Sequence, residues 1–140
     1  MDIIFKPSKE IKVNIKEGQL GQISSPARIK KACEKEEVIA FDILYKDDLI
    51  GFAIFKKYDK GKFFLWNYAI DKDYQGMGLG KRSLTVLLSL MKKDYKATEI
   101  STSYIFGNEV AKGLYEKVGF VETDVVEEPD CHEVNMLLSL

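Results

Sequence analysis

Residues 62–93 read KFFLWNYAIDKDYQGMGLGKRSLTVLLSLMKK. Phe63 to Ile70 is a run of aromatic and branched residues with little alternation, the pattern of a strand covered on both faces. Leu79 to about Lys93 is a helix, apolar over much of its circumference through Leu84, Val86, Leu87, Leu88, Leu90 and Met91, so it packs deep. Between them stands Gln75-Gly76-Met77-Gly78-Leu79-Gly80-Lys81. Three glycines at alternate positions let the backbone curl tightly with no side chain in the way of a ligand. The amides of such a turn converge, and the helix N-terminus adds the positive end of its dipole. The guest this favours is a phosphate or pyrophosphate.

Working outward, Val38 to Tyr45 and Leu49 to Lys57 are two more strands, separated by Lys46-Asp47-Asp48. Tyr58-Asp59-Lys60-Gly61 leads into the central strand, so the three form an antiparallel meander. Before them, Ile11 to Ile15 alternates as an edge strand, and Gly18 and Gly21 mark loop. Ser24-Ser25-Pro26 is a helix start, since Ser caps and Pro fits the first turn. Ile29, Ala32, Cys33 and Glu36 share a face of that helix, which ends near Glu37. After the long helix, Ala97 to Ser103 is a strand, and strand–helix–strand implies a parallel right-handed crossover. A helix follows from about Glu109 to Val118, with Val110, Ala111, Leu114, Tyr115 and Val118 as its stripe and Gly119 in the left-handed position past its end. Phe120 to Glu127 and His132 to Leu138 then pair across Glu128-Pro129-Asp130-Cys131. The expected class is α/β (α+β): a mixed, mostly antiparallel sheet of six to seven strands with helices on both faces.

The 140 residues fit one domain over 1–140. Hydrophobic residues are 46% and charged residues 31%, a globular balance rather than a disordered one. With 21 Lys+Arg against 22 Asp+Glu there is no global basic field, so no nucleic-acid or anionic-membrane partner is expected. Any anion site must be local and built largely from backbone. No apolar run approaches the ~20 residues of a membrane helix, and no signal-peptide core opens the chain. Cys33 and Cys131 read as free thiols of a reducing cytosol, which predicts a cytoplasmic protein. One histidine, His132, and two cysteines leave no metal site.

The loop fits neither common nucleotide fingerprint. A P-loop needs Gly-x-x-x-x-Gly-Lys-Ser/Thr, and here position 75 is Gln and position 82 is Arg. A dinucleotide fold needs Gly-x-Gly-x-x-Gly after a parallel strand, and the spacing here is Gly-x-Gly-x-Gly after an antiparallel meander. Further on, Asn108, Ala111 and Tyr115 share one helical face. Asn108 can cap the helix or offer an amide to a ligand. Tyr115 can be a core aromatic with a wet tip or a phenol facing a site. The run Ser101-Thr102-Ser103 suits a polar cleft and ordinary strand equally.

Gln75-x-x-Gly78-x-Gly80 resembles the Gln/Arg-x-x-Gly-x-Gly/Ala acyl-CoA signature of the GNAT superfamily. Asn108-x-x-Ala111-x-x-Leu114-Tyr115-Glu116-Lys117-Val118-Gly119-Phe120 resembles its second block. The resemblance covers about three-quarters of the chain, from Val38 on. It implies an N-acetyltransferase that uses acetyl-CoA as co-substrate, with the acetyl group passing to a primary amine through a tetrahedral intermediate. It places the coenzyme in a V between the strand ending at Ile70 and the strand Ala97–Ser103. It assigns coenzyme contacts to Ala69, Ile70, Gln75, Gly76, Met77, Gly78, Leu79, Gly80, Lys81 and Asn108, with Lys112 as a phosphate cation. Tyr115 becomes the catalytic acid toward the departing thiolate. Arg82 reads as solvated helix surface.

Two features depart from the family pattern. Many members carry a Glu base on the central strand, where this chain has Trp66-Asn67-Tyr68, so the base is unassigned; Asp71, Asp73, Glu37, Asp42 and His132 are the nearby titratable groups. The helical region before Val38 has room for about one short helix. Phe64 to Gly76 is similar to the diamine/polyamine branch, for which Glu34, Glu36, Glu37 and Asp42 are candidate carboxylates. A short N-terminal wall suits a larger acceptor instead, a protein amine or an aminoglycoside. The different-class alternative is an acyl-CoA-binding module without turnover. By analogy with relatives, Val134 to Leu138 would pair two copies as a homodimer through a sheet edge.

Overall fold

In the computed structural model, residues 3–13 and 24–140 are described. Seven strands form one sheet in the order β1-β2-β3-β4-β5-β7-β6: β1 (Ile3–Pro7), β2 (Val38–Tyr45), β3 (Asp48–Asp59), β4 (Lys62–Ile70), β5 (Glu99–Ile105), β6 (Val121–Glu128) and β7 (Cys131–Ser139). The helices are α1 (Pro26–Ala32), α2 (Leu79–Asp94) and α3 (Glu109–Lys117), with a short 3-10 turn at Lys72–Tyr74. All pairings are antiparallel except β4 with β5, so the crossover through α2 is the parallel one expected.

Each helix starts and stops for a local reason. Ser25 caps α1 by accepting from the Arg28 amide at 3.3 Å, with Pro26 in the first turn. Asn108 caps α3 through the Ala111 amide at 3.1 Å, and Gly119 at φ +111° ends it. The helix α2 begins at Gly78, which is left-handed (φ +77°) and supplies no side-chain cap.

Two cores lie on opposite faces of the sheet. On one face α2 and α3 cover Phe41, Ile43, Phe55, Phe63, Leu65 and Ile100. On the other, Ile29 and Cys33 of α1 pack on Val38, Ala40, Phe52 and Ile54. Burial of each such aliphatic or aromatic side chain contributes about 1.5–3 kcal/mol.

The register shift between β3 and β4 decides where the site lies. Ile54 opposes Asn67 and Phe55 opposes Leu65, so Trp66 is an extra, bulged residue. A bulge reverses the alternation of faces beyond it. Phe63 and Leu65 therefore share the α2 face with Tyr68 and Ile70. The second decision is made at β5. It pairs with β4 only from Lys62↔Glu99 to Leu65↔Thr102. Past Thr102 the two strands part into a V.

Three expectations are corrected. Ile11–Val13 form no strand; the edge strand is β1, which pairs with β2, and residues 14–23, with Gly18 and Gly21, fall outside the described residues. The first helix stops at Ala32 rather than near Glu37. Val134–Leu138 is no edge: β7 is held between β5 and β6, so its ladder groups are taken and cannot pair a second copy.

Candidate functional site

The mouth of the V opens into a cleft of about 500 Å³ between the N-terminus of α2 and one side of α3. Tyr68, Ala69 and Ile70 of β4 form one wall; Gln75, Gly76, Gly78, Gly80 and Lys81 form the second; Glu109, Val110, Gly113, Leu114 and Lys117 form the third. A Cβ built on Gly76 or Gly78 meets nothing within 4 Å, and both residues have positive φ. The loop therefore keeps its glycines for backbone shape and for open space above it. The first amides of α2 have no intrahelical partner and no side-chain cap. Together with Lys81 and Lys117, set against one carboxylate at Glu109, they suit a di-anionic guest. The donor set thus fits a coenzyme pyrophosphate.

The strand wall offers backbone. The Asp71 amide donates to Ile50 on β3 at 2.7 Å. By strand alternation, the main-chain groups of Tyr68 and Ile70 point the other way, toward the V. Consistent with this, the Ile70 carbonyl accepts from Gln75 Nε2 at 2.9 Å. Gln75 thereby ties the glycine loop to the end of β4. Gly51 makes room opposite: a Cβ there would stand 2.7 Å from the Ala69 carbonyl.

Two phenols stand at the vertex. Tyr115 is 5% exposed, its ring edge-on to Phe120. Burial raises its phenol to about 12, with the Thr102 hydroxyl pulling the other way. Thr102 is itself buried and donates to the Leu65 carbonyl at 2.9 Å, where β4 and β5 separate. Tyr68 donates to the Gly80 carbonyl at 2.7 Å, and burial first, then the neighbouring Tyr115, push its phenol upward. Both phenols are therefore neutral at ordinary pH; Tyr68 lines the cleft and Tyr115 does not.

The expected contact residues separate into two groups. Ala69, Ile70, Gln75, Gly76, Gly78, Gly80 and Lys81 line the cleft together. Met77 is exposed beside it, and the Leu79 side chain is buried in the core, leaving only its amide for a ligand. Asn108 serves as the α3 cap and is not among the lining residues. Lys112 lies 3.9 Å from Glu122 instead, and Arg82 lies over the Tyr45 ring. The α3 face that borders the cleft is Val110, Gly113, Leu114 and Lys117, one step around from Asn108, Ala111 and Tyr115. Val110 was expected in the core and is 72% exposed. The i, i+3, i+4, i+7 spacing of Val110, Gly113, Leu114 and Lys117 is the available signal; the apolar stripe through Val110, Ala111, Leu114, Tyr115 and Val118 masks it. Tyr68 was also missed, since the Trp66 bulge that turns it inward leaves no local mark.

In the central-strand stretch Trp66-Asn67-Tyr68, which holds no carboxylate, Asn67 is 3% exposed. Its Oδ1 accepts the Ser24 amide at 2.9 Å, and its Nδ2 has no partner among the described residues. Of the other titratable candidates, Asp71 accepts the Asp73 amide at 3.0 Å, His132 stacks on Phe106, and Glu34, Glu36 and Glu37 are exposed. Among the described residues no group of three or more metal-ligating side chains converges, and no helix is long and apolar enough to cross a membrane.

Comparison with known proteins gives one answer. Residues 11–120 match the acetyltransferase (GNAT) family. A spermine/spermidine N(1)-acetyltransferase of Bacillus subtilis is 33% identical over 116 residues, 77% of this chain and 76% of that protein. Among solved structures, aminoglycoside acetyltransferase AAC(6')-Ib in complex with coenzyme A superposes with a TM-score of 0.78 at 19% identity, covering 98% of this chain and 94% of that one. A GNAT family acetyltransferase from Elizabethkingia anophelis with acetyl-CoA bound gives 0.75 at 18% identity over 99% of both chains.

Proposed function

This chain belongs to the acetyltransferase (GNAT) family, and from that premise we propose that it transfers the acetyl group of acetyl-CoA to a primary amine of a polyamine or diamine. The observation that carries the reading is the open, left-handed Gly76/Gly78 loop before an uncapped helix N-terminus, at the mouth of the β4/β5 V. The same reading treats residues 1–140 as one acyltransferase domain.

In this reading the amides from Gly76 to Lys81 hold the pyrophosphate, and Lys81 and Lys117 offset its charge. The Ile70 and Tyr68 main-chain groups that face the V pair with the amides of the pantetheine arm. Acetyl-CoA supplies an activated thioester. An N–H preset on β4 toward its carbonyl favours the developing oxyanion, because it needs no reorganisation as charge builds. The amine nitrogen forms the new C–N bond, the C–S bond breaks, and the Tyr115 phenol gives its proton to the sulfur. Asn67 cannot take a proton, so the ammonium first loses one to water and attacks as the neutral amine. The nitrogen, cationic once the C–N bond has formed, releases a second proton to solvent, and solvent returns one to the Tyr115 phenolate. Rate should then rise with pH toward the amine's pKa rather than level at a carboxylate's.

The polyamine acceptor is supported by the similarity to the Bacillus subtilis protein. The test is release of free thiol from acetyl-CoA with spermidine, an aminoglycoside and a lysine peptide in parallel. Spermidine should give the highest kcat/KM. Preference by a wide margin for peptide or aminoglycoside would overturn the acceptor assignment. Binding of acetyl-CoA with no thiol release from any amine would leave a binding module.

A further inference from the structure

The peptide unit between Gly80 and Lys81 is held from one side and open on the other. Its carbonyl accepts the Tyr68 hydroxyl at 2.7 Å. Its N–H is the Lys81 amide, in the first turn of α2. The Arg82 amide donates to the Gly78 carbonyl at 3.2 Å and so opens the helix ladder. The amides of Leu79, Gly80 and Lys81 come before it and have no partner within the helix. A peptide unit is planar, with C=O and N–H on opposite sides. A donor fixed on the Gly80 carbonyl therefore fixes the direction of the Lys81 N–H, and Lys81 lines the cleft. The same hydrogen bond makes that N–H a stronger donor, because linked hydrogen bonds polarise one another.

Backbone alone leaves this turn free to shift. Gly76 and Gly78 are left-handed with open space around them, and α2 has no side-chain cap. Side-chain hydrogen bonds join the segment to β4 on both sides of the glycines. Before them Gln75 Nε2 donates to the Ile70 carbonyl at 2.9 Å; after them the Tyr68 phenol holds Gly80. A Cβ on Gly80 would stand 3.6 Å from Ile70 Cγ1, so the first turn of α2 lies directly on the end of β4. One strand end thus offers its main chain to the thioester arm and ties down the phosphate cradle through a side chain. The Trp66 bulge makes this possible. Without the extra residue, Tyr68 would stand on the α1 face.

We propose that Tyr68 is a positioning residue for the coenzyme: its phenol aims the Lys81 amide at the pyrophosphate and keeps the cradle in register with β4. This rests on the coenzyme reading above and adds a residue that acts on the phosphates without touching them.

The experiment titrates the whole chain and Tyr68→Phe with coenzyme A by calorimetry. Beside it, thiol release is measured from acetyl-CoA and from S-acetylpantetheine, which has the thioester arm but no pyrophosphate. Phe keeps the ring in the cleft wall, and loss of one hydrogen bond should lower Tm by about 3–5 °C, so the variant stays folded. Its Kd for coenzyme A should rise about tenfold, the low end for a hydrogen bond to a charged group. The value of kcat/KM should fall about as much with acetyl-CoA and stay unchanged with S-acetylpantetheine. Tyr68→Met, a second variant without the hydroxyl, should show the same split. Parental affinity for coenzyme A in the folded variants overturns the assignment. An equal loss with both donors overturns it too, since the phenol then acts at the thioester or on the fold alone. If the parent does not bind coenzyme A, the coenzyme reading falls and this inference with it. If the parent binds it but releases no thiol with any amine, the transfer reading falls and the Kd comparison still decides the role of Tyr68.

Discussion

Replacing Gly78 by Ala separates a glycine kept for backbone shape from one kept for a ligand. Gly78 sits at φ +77° and a Cβ there meets nothing within 4 Å. The cost to the fold is therefore confined to the left-handed backbone, about 1–2 kcal/mol for an L-residue. In a domain of this size each kcal/mol moves Tm by about 3–5 °C. Gly107 is a matched control: it has φ +92° and equally empty space around it, and it does not line the cleft. Gly78→Ala and Gly107→Ala should thus lose similar stability. Only at Gly78 does the methyl enter the path of the pyrophosphate. Pushing the phosphate off one amide forfeits a hydrogen bond to a charged group, about 1.5–3 kcal/mol, or roughly 10–150-fold in Kd. Calorimetric titration of both folded variants with acetyl-CoA gives the comparison. Equal affinity in the two would show that the loop is only a turn and would remove the phosphate cradle from the mechanism.

Tyr115→Phe should lower kcat about 100-fold, the low end of general-acid assistance, while acetyl-CoA affinity stays near that of the parent, because the ring and its packing on Phe120 remain; parental kcat under chemistry-limited conditions would exclude the phenol. At high pH the same group makes a thermodynamic signature. Its folded pKa is raised to about 12 above the ordinary value near 10, so the folded state retains a proton that the unfolded state releases. The stability it contributes is full below pH ~10 and is lost as pH rises through ~12. Thermal scans from pH 9 to 11.5 should therefore show a shallower decline in Tyr115→Phe than in the parent, and parallel curves would count against the buried, neutral phenol.

Much of this molecule is local in origin and could be read from the chain. The limits of β2 and β4, the start of α2 and the Gly119 stop of α3 follow from side-chain periodicity, glycine and capping residues, each of which acts over a few neighbours. The glycine loop and its place between a central strand and a buried helix are legible for the same reason, and with them five residues of the cleft; Ala69 and Ile70 are expected there only from the family resemblance. What the sequence leaves open depends on partners far along the chain. The bulge at Trp66 exists only in register with β3, yet it turns Tyr68 onto the α2 face. The side of α3 that borders the cleft depends on how that helix rolls onto the sheet, so Lys117 takes the place expected of Lys112. That β7 is internal follows from its insertion between β5 and β6. The pairing of Lys12 with Asp42 joins residues 30 apart. Periodicity tells which residues want a neighbour; strand order and register, settled only when the whole sheet closes, decide which neighbour each one meets.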